Sequence, residues 1–427
     1  MTEQCILSNG VRVLAERMEG LRSVAIGIWF NAGSIYEPER TAGVSHFVEH
    51  MLFKGTRKRS ASDIAAEMDA IGANLNAFTS KECTCFHATV LEEHLEHAIE
   101  LLADITQNSV IDPDELEREK QVILEEIAMT EDSAEDLVFE RAGEQLFFKT
   151  PLEREILGSA VSVGALTRDD LLAYMQTHYT GENLVIAAAG SLSPDTLFAL
   201  AKRYFADVPR GTRQKAPAVT VRHGLRCTAV EKDAEQIHLC LSVPGAALGT
   251  DAFESLAVLS NALGGGMSSR LFRSIREERG LAYSVYSQPI AYRGAGSLSL
   301  YAGCTERQAE EALRLMLREA DGMRQNGLKA DEFSRSKQQL IGNYLLSMES
   351  AAAHMSAIGK SALLLDRIYE LQTTLNRMNC VTIEAVKDQA ADRFSPNAAA
   401  FCAAGRLKGI GGALETIVQN WWNARGS

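Results

Sequence analysis

An internal repeat constrains what this chain of 427 residues can fold into. The run Ala330–Tyr344 (ADEFSRSKQQLIGNY) matches Pro113–Ile127 (PDELEREKQVILEEI), with Asp331 falling on Asp114 at an offset of 217 residues. Similar orders of predicted strands and helices surround both runs, as judged from the spacing of their apolar residues. A chain of this length is also too long for one core. The repeat therefore predicts two homologous domains.

The boundary between the two copies is expected in an irregular stretch. Val208–His223 contains prolines, is basic and has no helical periodicity, which is typical of a linker. We therefore predict one domain over residues 1–210, a linker over 211–224 and a second domain over 225–427.

The first copy carries the motif H-x-x-E-H, formed by His46, Glu49 and His50 in a predicted helix. Histidines four residues apart share one face of a helix, so both imidazoles can reach a single ion. Imidazole nitrogen is a preferred ligand of Zn²⁺, and Glu49 is placed to accept a proton from water. This is the inverted form of the zincin motif. The alternative, an amphipathic core helix, explains the apolar residues of this run but leaves the histidines and the carboxylate unexplained.

A third ligand is expected from the first repeat run. Glu119 and Glu126 are two helical turns apart, on a stripe beside the apolar face. Carboxylates there are costly unless they are paired or bound to a metal, so we predict Glu126 as the ligand and Glu119 as a supporting partner or alternate ligand. The alternative is that both acids merely border the core. In the second copy Ser336 and Asn343 replace them and no H-x-x-E-H occurs, so one metal site per chain is predicted.

Composition restricts the classes of function. A net charge of −13 argues against nucleic-acid binding. No apolar run approaches the roughly 20 residues of a membrane span, and the N-terminal sequence has no signal-peptide pattern. Eight scattered cysteines without a C-x-x-C pair indicate reduced thiols. We therefore expect a cytoplasmic protein that binds neither nucleic acid nor a membrane.

The inverted motif, the glutamate 76 residues after its second histidine and the half repeat together resemble the pitrilysin/insulinase family of zinc metallopeptidases. The similarity is greatest to the branch of the mitochondrial processing peptidase β-subunit and its bacterial relatives, and covers essentially the whole chain. It implies an α+β fold in which two homologous domains, each an antiparallel sheet packed with helices, form half of a clamshell. It also implies a homodimer, because in this branch two chains usually face each other around a closed chamber.

The resemblance implies a role for each matching residue. His46, His50 and Glu126 would ligate one Zn²⁺, Glu119 would support them, and Glu49 would activate the zinc-bound water that attacks the scissile carbonyl.

Three further residues match substrate-binding positions of the family. Asn76 would lie on an edge strand that holds the substrate extended, and Arg276 and Tyr283 would reach the substrate backbone from the second domain. Without the resemblance, Arg276 reads as part of a charged helix end and Tyr283 as a core residue of a strand.

The predicted function is a zinc-dependent endopeptidase that hydrolyses peptides or unfolded segments inside a chamber. Two alternatives are a non-catalytic assembly subunit on the same fold and an active subunit that requires an inactive partner. A purely structural zinc site is a third alternative, which Glu49 disfavours because a closed structural site needs no base.

Overall fold

Strands from distant parts of the chain form two β-sheets within residues 2–426, which the structure, a computed structural model, describes. The strands are β1 (Thr2–Ile6), β2 (Arg12–Arg17), β3 (Ser23–Phe30), β4 (Asn74–Thr79), β5 (Thr84–Leu91), β6 (Leu184–Gly190), β7 (Gly224–Glu231), β8 (Ile237–Pro244), β9 (Ala282–Ala291), β10 (Gly296–Cys304) and β11 (Ala398–Gly405). The first sheet has the order β1-β2-β6-β3-β5-β4 and the second has the order β7-β11-β8-β10-β9.

Both sheets are mainly antiparallel, as predicted, but each contains one parallel pair that was not predicted. In the first sheet β2 is parallel to β6, and in the second β7 is parallel to β11. The other neighbouring strands are antiparallel. A parallel pair needs a long crossover connection, and several helices separate the two strands of each of these pairs in the sequence. The fold class is thus α+β with two sheets.

Helices account for most of the remaining described residues. They are α1 (Val44–Leu52), α2 (Ala61–Ala70), α3 (Leu95–Asn108), α4 (Pro113–Asp132), α5 (Ala134–Leu146), α6 (Ala160–Ala165), α7 (Arg168–His178), α8 (Pro194–Phe205), α9 (Asp251–Gly264), α10 (Ala309–Asn326), α11 (Ala330–Ser347), α12 (Ala351–Leu365), α13 (Leu371–Cys380), α14 (Ile383–Arg393) and α15 (Gly411–Gly426). A π-helical turn, Phe272–Glu277, precedes β9. Within residues 2–426, every helix is too short or too polar to cross a bilayer.

Two units, each discontinuous in sequence, are built around these sheets. The first unit contains the chain up to Ile127, Arg154–Pro217 and Leu345–Leu371. The second contains Ala128–Glu153, Ala218–Tyr344 and the chain from Gln372 onward. The boundary after Pro217 falls in the predicted linker, and residues 209–223 form neither helix nor strand.

The predicted ranges 1–210 and 225–427 differ from these units because each half of the chain gives a helix to the other unit. α5, from the first half, packs on β8 and β11 of the second sheet, where Phe139 stacks on Tyr301 with ring centroids 5.5 Å apart. α12, from the second half, packs on β3 and β6 of the first sheet. There Gly359 leaves room for the Trp29 ring, since a Cβ at Gly359 would lie 2.3 Å from the indole nitrogen. Burial of an apolar helix face on a sheet stabilises this arrangement.

The core of the first unit lies where α1, α3 and α8 cover one face of the first sheet. Its strand residues include Ile26 and Ile28 from β3 and Phe86 from β5, which are fully buried. Phe47 and Met51 bring α1 into the same cluster, also fully buried. The packing of α1 on the sheet holds the H-x-x-E-H run in place.

Candidate metal centre

The metal-binding motif lies on α1, and burial of its apolar residues decides which side chains remain available. Phe47, Val48 and Met51 are fully buried, whereas His46 and His50 keep part of their surface exposed. The two imidazole rings lie on the same side of the helix, with centroids 4.6 Å apart. The predicted pairing of histidines four residues apart on a helix is therefore confirmed as geometry.

The start of α1 depends on Glu37, a residue that the sequence analysis missed. Its carboxylate accepts hydrogen bonds from the backbone N–H of Gly43 at 2.7 Å and of Ser45 at 2.9 Å, and from the hydroxyl of Ser45. Anions are favoured at a helix N-terminus, where N–H groups lack helical partners. Burial raises the pKa of Glu37, and its bonds to Ser45 and Gly43 oppose that rise. The N-cap is Gly43, which has no side chain to cap with, and this was the available signal.

Glu126 brings a carboxylate from α4 to both histidines. Its Oε2 atom is 3.8 Å from Nε2 of His46 and 3.6 Å from Nε2 of His50. One donor atom of each residue can be chosen so that all three lie within 4.8 Å of one another. Ligands about 2.1 Å from a tetrahedral ion are about 3.4 Å apart, so these donors need little movement to bind one ion. In the described part of the chain, this is the one group of three or more such side chains with metal-binding spacing.

Glu119 contacts the outer nitrogen of His50. Nδ1 of His50 donates to Oε2 of Glu119 at 3.1 Å, and Lys54 pairs with the other carboxylate oxygen at 2.6 Å. Because Nδ1 holds the proton, the lone pair of Nε2 points toward the side of Glu126. Carboxylates in this position orient metal-binding histidines in many proteins. Of the two roles considered for Glu119, the geometry matches the supporting partner.

Glu49 lies on the same helix, one residue before His50. Its Oε2 atom is buried and has no hydrogen-bond partner among the described residues. Burial raises the pKa of Glu49 and the nearby Glu126 carboxylate adds to the rise, while the hydroxyl of Thr79 and the imidazole of His50 oppose it. Thr79, at the end of β4, was not among the predicted site residues.

His46 is held in the neutral state that metal binding requires. Burial lowers its pKa to about 4, with a further contribution from the neighbouring His50. Its Nδ1 atom is buried without a hydrogen-bond partner in the described residues. A neutral imidazole keeps a lone pair on one ring nitrogen, which is the form that ligates zinc.

Asn76 is exposed on β4, which is an edge strand of the first sheet. The predicted edge position is therefore confirmed. Its side-chain oxygen accepts a hydrogen bond from the backbone N–H of Ala77 at 2.8 Å. Thr79, three residues further along the same strand, neighbours Glu49, so β4 runs past the motif helix.

Arg276 and Tyr283 belong to the second unit and contact each other. The guanidinium of Arg276 lies 5.1 Å from the centre of the Tyr283 ring and 5.0 Å from that of Phe272, distances typical of cation–π contacts. Tyr283 is 73% exposed on β9, which is an edge strand of the second sheet. The alternative that Tyr283 is a core residue is therefore wrong.

The sequence matches one family in both halves. Residues 12–160 match the domain described as "Insulinase (Peptidase family M16)", and residues 165–340 match the domain described as "Peptidase M16 inactive domain". The chain belongs to peptidase family M16, the insulinase family.

Bacterial relatives match this chain over most of its length. The uncharacterized zinc protease YmxG of Bacillus subtilis is 38% identical over 92% of this chain and 96% of its own length. An uncharacterized zinc protease of Mycobacterium tuberculosis is 40% identical over 89% of this chain and 88% of its own length. Both of these relatives are named zinc proteases.

Solved structures show the same fold at lower sequence identity. A peptidase M16 inactive domain from Pseudomonas fluorescens superposes with a TM-score of 0.88 at 22% identity, covering 95% of this chain and 98% of its own. A protease from Helicobacter pylori gives 0.88 at 19% identity, covering 95% and 99%. A chain of complex III2 from Candida albicans gives 0.85 at 19% identity, covering 97% and 99%. At these identities the likeness concerns the fold alone.

Proposed function

We propose that this protein is a zinc-dependent endopeptidase whose metal centre lies in the first unit. One observation carries the proposal: Nε2 of His46, Nε2 of His50 and the carboxylate of Glu126 converge, with Glu49 on the same helix. The naming of relatives as zinc proteases supports the same conclusion.

The donor set fits zinc. His46, His50 and Glu126 would hold one Zn²⁺, which when bound supplies a Lewis acid that polarises the peptide carbonyl. Three protein ligands are typical of catalytic zinc sites, whereas structural sites use four. Glu119 would keep the imidazole of His50 in the required tautomer through its bond to Nδ1.

Glu49 would move the proton. We infer that its carboxylate takes a proton from the attacking water and later delivers that proton to the nitrogen of the leaving amine. The raised pKa of Glu49 favours this role, because a carboxylate with a higher pKa is a stronger base. The oxygen atom without a partner, Oε2, is the one available to accept the proton.

The substrate would bind as an added strand on β4. Edge strands present unpaired N–H and C=O groups, so an extended peptide can pair with them through its backbone. Asn76 projects from this strand and would hold the substrate beside the metal helix. We assign Arg276 and Tyr283 to the substrate backbone, since both are exposed and fixed against each other.

The substrates would be peptides or unfolded segments, and the working form would be a homodimer whose two chains enclose them in a chamber. An exposed edge strand pairs with other chains unless it is covered, and enclosure would restrict access to short or unfolded segments. The eight cysteines form no disulfide within residues 2–426, which supports a reducing compartment such as the cytoplasm.

Cleavage of a quenched extended peptide tests the proposal, with Glu49→Gln beside the wild type. Gln keeps the size of the side chain but cannot accept the proton, so we expect turnover to fall about 10²–10⁴-fold. Zinc content, measured by mass spectrometry, should stay at the wild-type level. If wild type and variant both bind zinc and neither cleaves, the endopeptidase proposal fails in favour of an assembly subunit or a subunit that needs a partner.

A further inference from the structure

A cavity lies in the first unit, lined by none of the three metal ligands. Its volume is about 370 Å³. Tyr36, Pro38 and Arg40 line it, as do Tyr174 and His178 of α7. Neither the motif residues nor the proposed substrate strand contributes to its wall, so the proposed peptidase chemistry leaves this cavity without a role.

His178 gives the cavity a hydrogen-bond acceptor. Its side chain is 5% exposed, and its Nδ1 atom lies 3.3 Å from the backbone oxygen of Asn31. A carbonyl oxygen only accepts, so Nδ1 carries the proton in this contact. Burial lowers the pKa of His178 to about 4, and the ring is therefore neutral near pH 7. Its Nε2 atom thus has a lone pair, and within residues 2–426 no partner satisfies it.

Aromatic rings flank this acceptor. The ring of Tyr174 stacks on His178 with centroids 4.3 Å apart and an angle of 30° between planes. The ring of Tyr36 lies 5.4 Å from His178 at 49°. Its hydroxyl donates to Asn31 at 2.6 Å, which fixes the orientation of the ring. A neutral buried acceptor beside two fixed aromatic rings suits a flat molecule that carries an N–H donor.

The cavity wall adjoins the segment that caps the metal helix. Tyr36 and Pro38 both line the cavity, and Glu37, between them, bonds to the N-terminus of α1. A ligand in the cavity would therefore contact residues on either side of the cap.

We propose that this cavity binds a flat nitrogen heteroaromatic molecule, of the aminopurine class, whose exocyclic N–H donates to Nε2 of His178. The aromatic rings of Tyr36 and Tyr174 bound the space beside the imidazole, and adenine-sized rings fit within the volume.

A matched pair of probes tests this assignment by calorimetric titration of the full chain. 9-Methyladenine has its amino group as sole N–H donor, and the dimethylamino analogue of the same purine has none. We expect saturable binding of 9-methyladenine and about tenfold weaker binding of the analogue, the effect of one neutral hydrogen bond. No peptidase activity is required, so this result is independent of the proposed function.

Variants locate the bound probe. His178→Phe keeps a flat ring but removes the acceptor, so the affinity for 9-methyladenine should fall about tenfold while that for the analogue stays the same. His94→Phe, a change of the same type at a partly exposed position on another element, should alter neither. The proposal is overturned if 9-methyladenine does not bind saturably, if both purines bind the wild type equally, or if a folded His178→Phe binds both as the wild type does. Because the probe pair is compared in the wild type, the test holds even if His178→Phe does not fold.

Discussion

The two units arrange their sheets alike, but only the first carries the metal donors. In order across the sheets, β2, β6, β3, β5 and β4 correspond to β7, β11, β8, β10 and β9, with the parallel pair in the same place. Glu119 and Glu126 on α4 correspond to Ser336 and Asn343 on α11. Ser336 is buried and its backbone oxygen accepts from Asn261 at 3.0 Å. The fold is thus maintained without either acid.

The α-helix that follows the corresponding inner strand of each sheet differs in the same way: α1 follows β3, and α9 follows β8. α1 presents His46, Glu49 and His50 on a partly exposed face, whereas α9 has no histidine or central acid there. Instead Gly264 lies so close to β9 that a Cβ would be 2.3 Å from the backbone nitrogen of Ser287. Close packing of small residues therefore takes the place of the polar cluster in the second unit. The second unit therefore forms the corresponding sheet without the residues of the polar cluster.

Exchanging residues between the copies tests this comparison most severely at Glu126. Glu126→Asn introduces the residue that the second unit has, so the helix should form normally while one zinc donor is lost. We expect most of the bound zinc and the peptidase activity to disappear, a larger effect than the 10–100-fold typical of supporting residues. Metal analysis of the purified variant measures the bound zinc, and peptide cleavage measures the activity. Glu125→Asn, one residue away on the exposed side of α4, is the control and should match the wild type.

Glu119→Ser makes the corresponding exchange at the supporting residue. His50 then loses the acceptor for Nδ1 and Lys54 loses its partner. Zinc affinity should fall about 10–100-fold, as judged by competition with a chelator. Glu125→Ser serves as the comparison. Unchanged zinc affinity in a folded Glu119→Ser protein would mean that Glu119 has no role at the metal.

For α5 and α12, the helices that each half of the chain contributes to the other unit, we expect a smaller effect of substitution, and one that concerns stability alone. Gly359 on α12 corresponds to Ala142 on α5, again 217 residues apart. Gly359→Ala would force a methyl group against the Trp29 ring and should lower the free energy of unfolding by about 1–3 kcal/mol. Chemical denaturation measures this change, and zinc content should not alter.

Gly143→Ala, on α5, is the matched control for Gly359→Ala. A Cβ at Gly143 would meet no atom within 4 Å. Alanine is also more favourable than glycine in a helix by about 1 kcal/mol, so this variant should be at least as stable as the wild type. Equal destabilisation by the two variants would show that the contact with Trp29 is not the cause.

Local sequence patterns predicted the parts of this molecule that depend on local geometry. His46 and His50 share a helix face because of the helical period. β3 spans Ser23–Phe30, a run in which Val24, Ile26, Ile28 and Phe30 recur at the two-residue period of a strand. The start of α4 at Pro113 also follows from local sequence, because an aspartate before a proline is typical of a helix N-terminus. In the structure Asp112 accepts from the backbone N–H of Asp114 at 2.9 Å and of Glu115 at 3.1 Å.

Features that depend on distant contacts were not predictable in this way. Nothing local to α5 or α12 specifies which sheet it covers, because an apolar helix face fits either one. Glu37 lies outside α1 and caps its N-terminus across a loop, and Thr79 reaches Glu49 of α1 from strand β4. The roles of Asn76, Arg276 and Tyr283 stay predictions, because they concern a substrate.

The most direct test of a single metal site in the first unit is X-ray diffraction of crystals of the zinc-bound protein, with data collected on both sides of the zinc absorption edge. The account predicts one anomalous peak per chain, within bonding distance of Nε2 of His46, Nε2 of His50 and the Glu126 carboxylate. A fully occupied peak elsewhere, or a second one in the second unit, would contradict it.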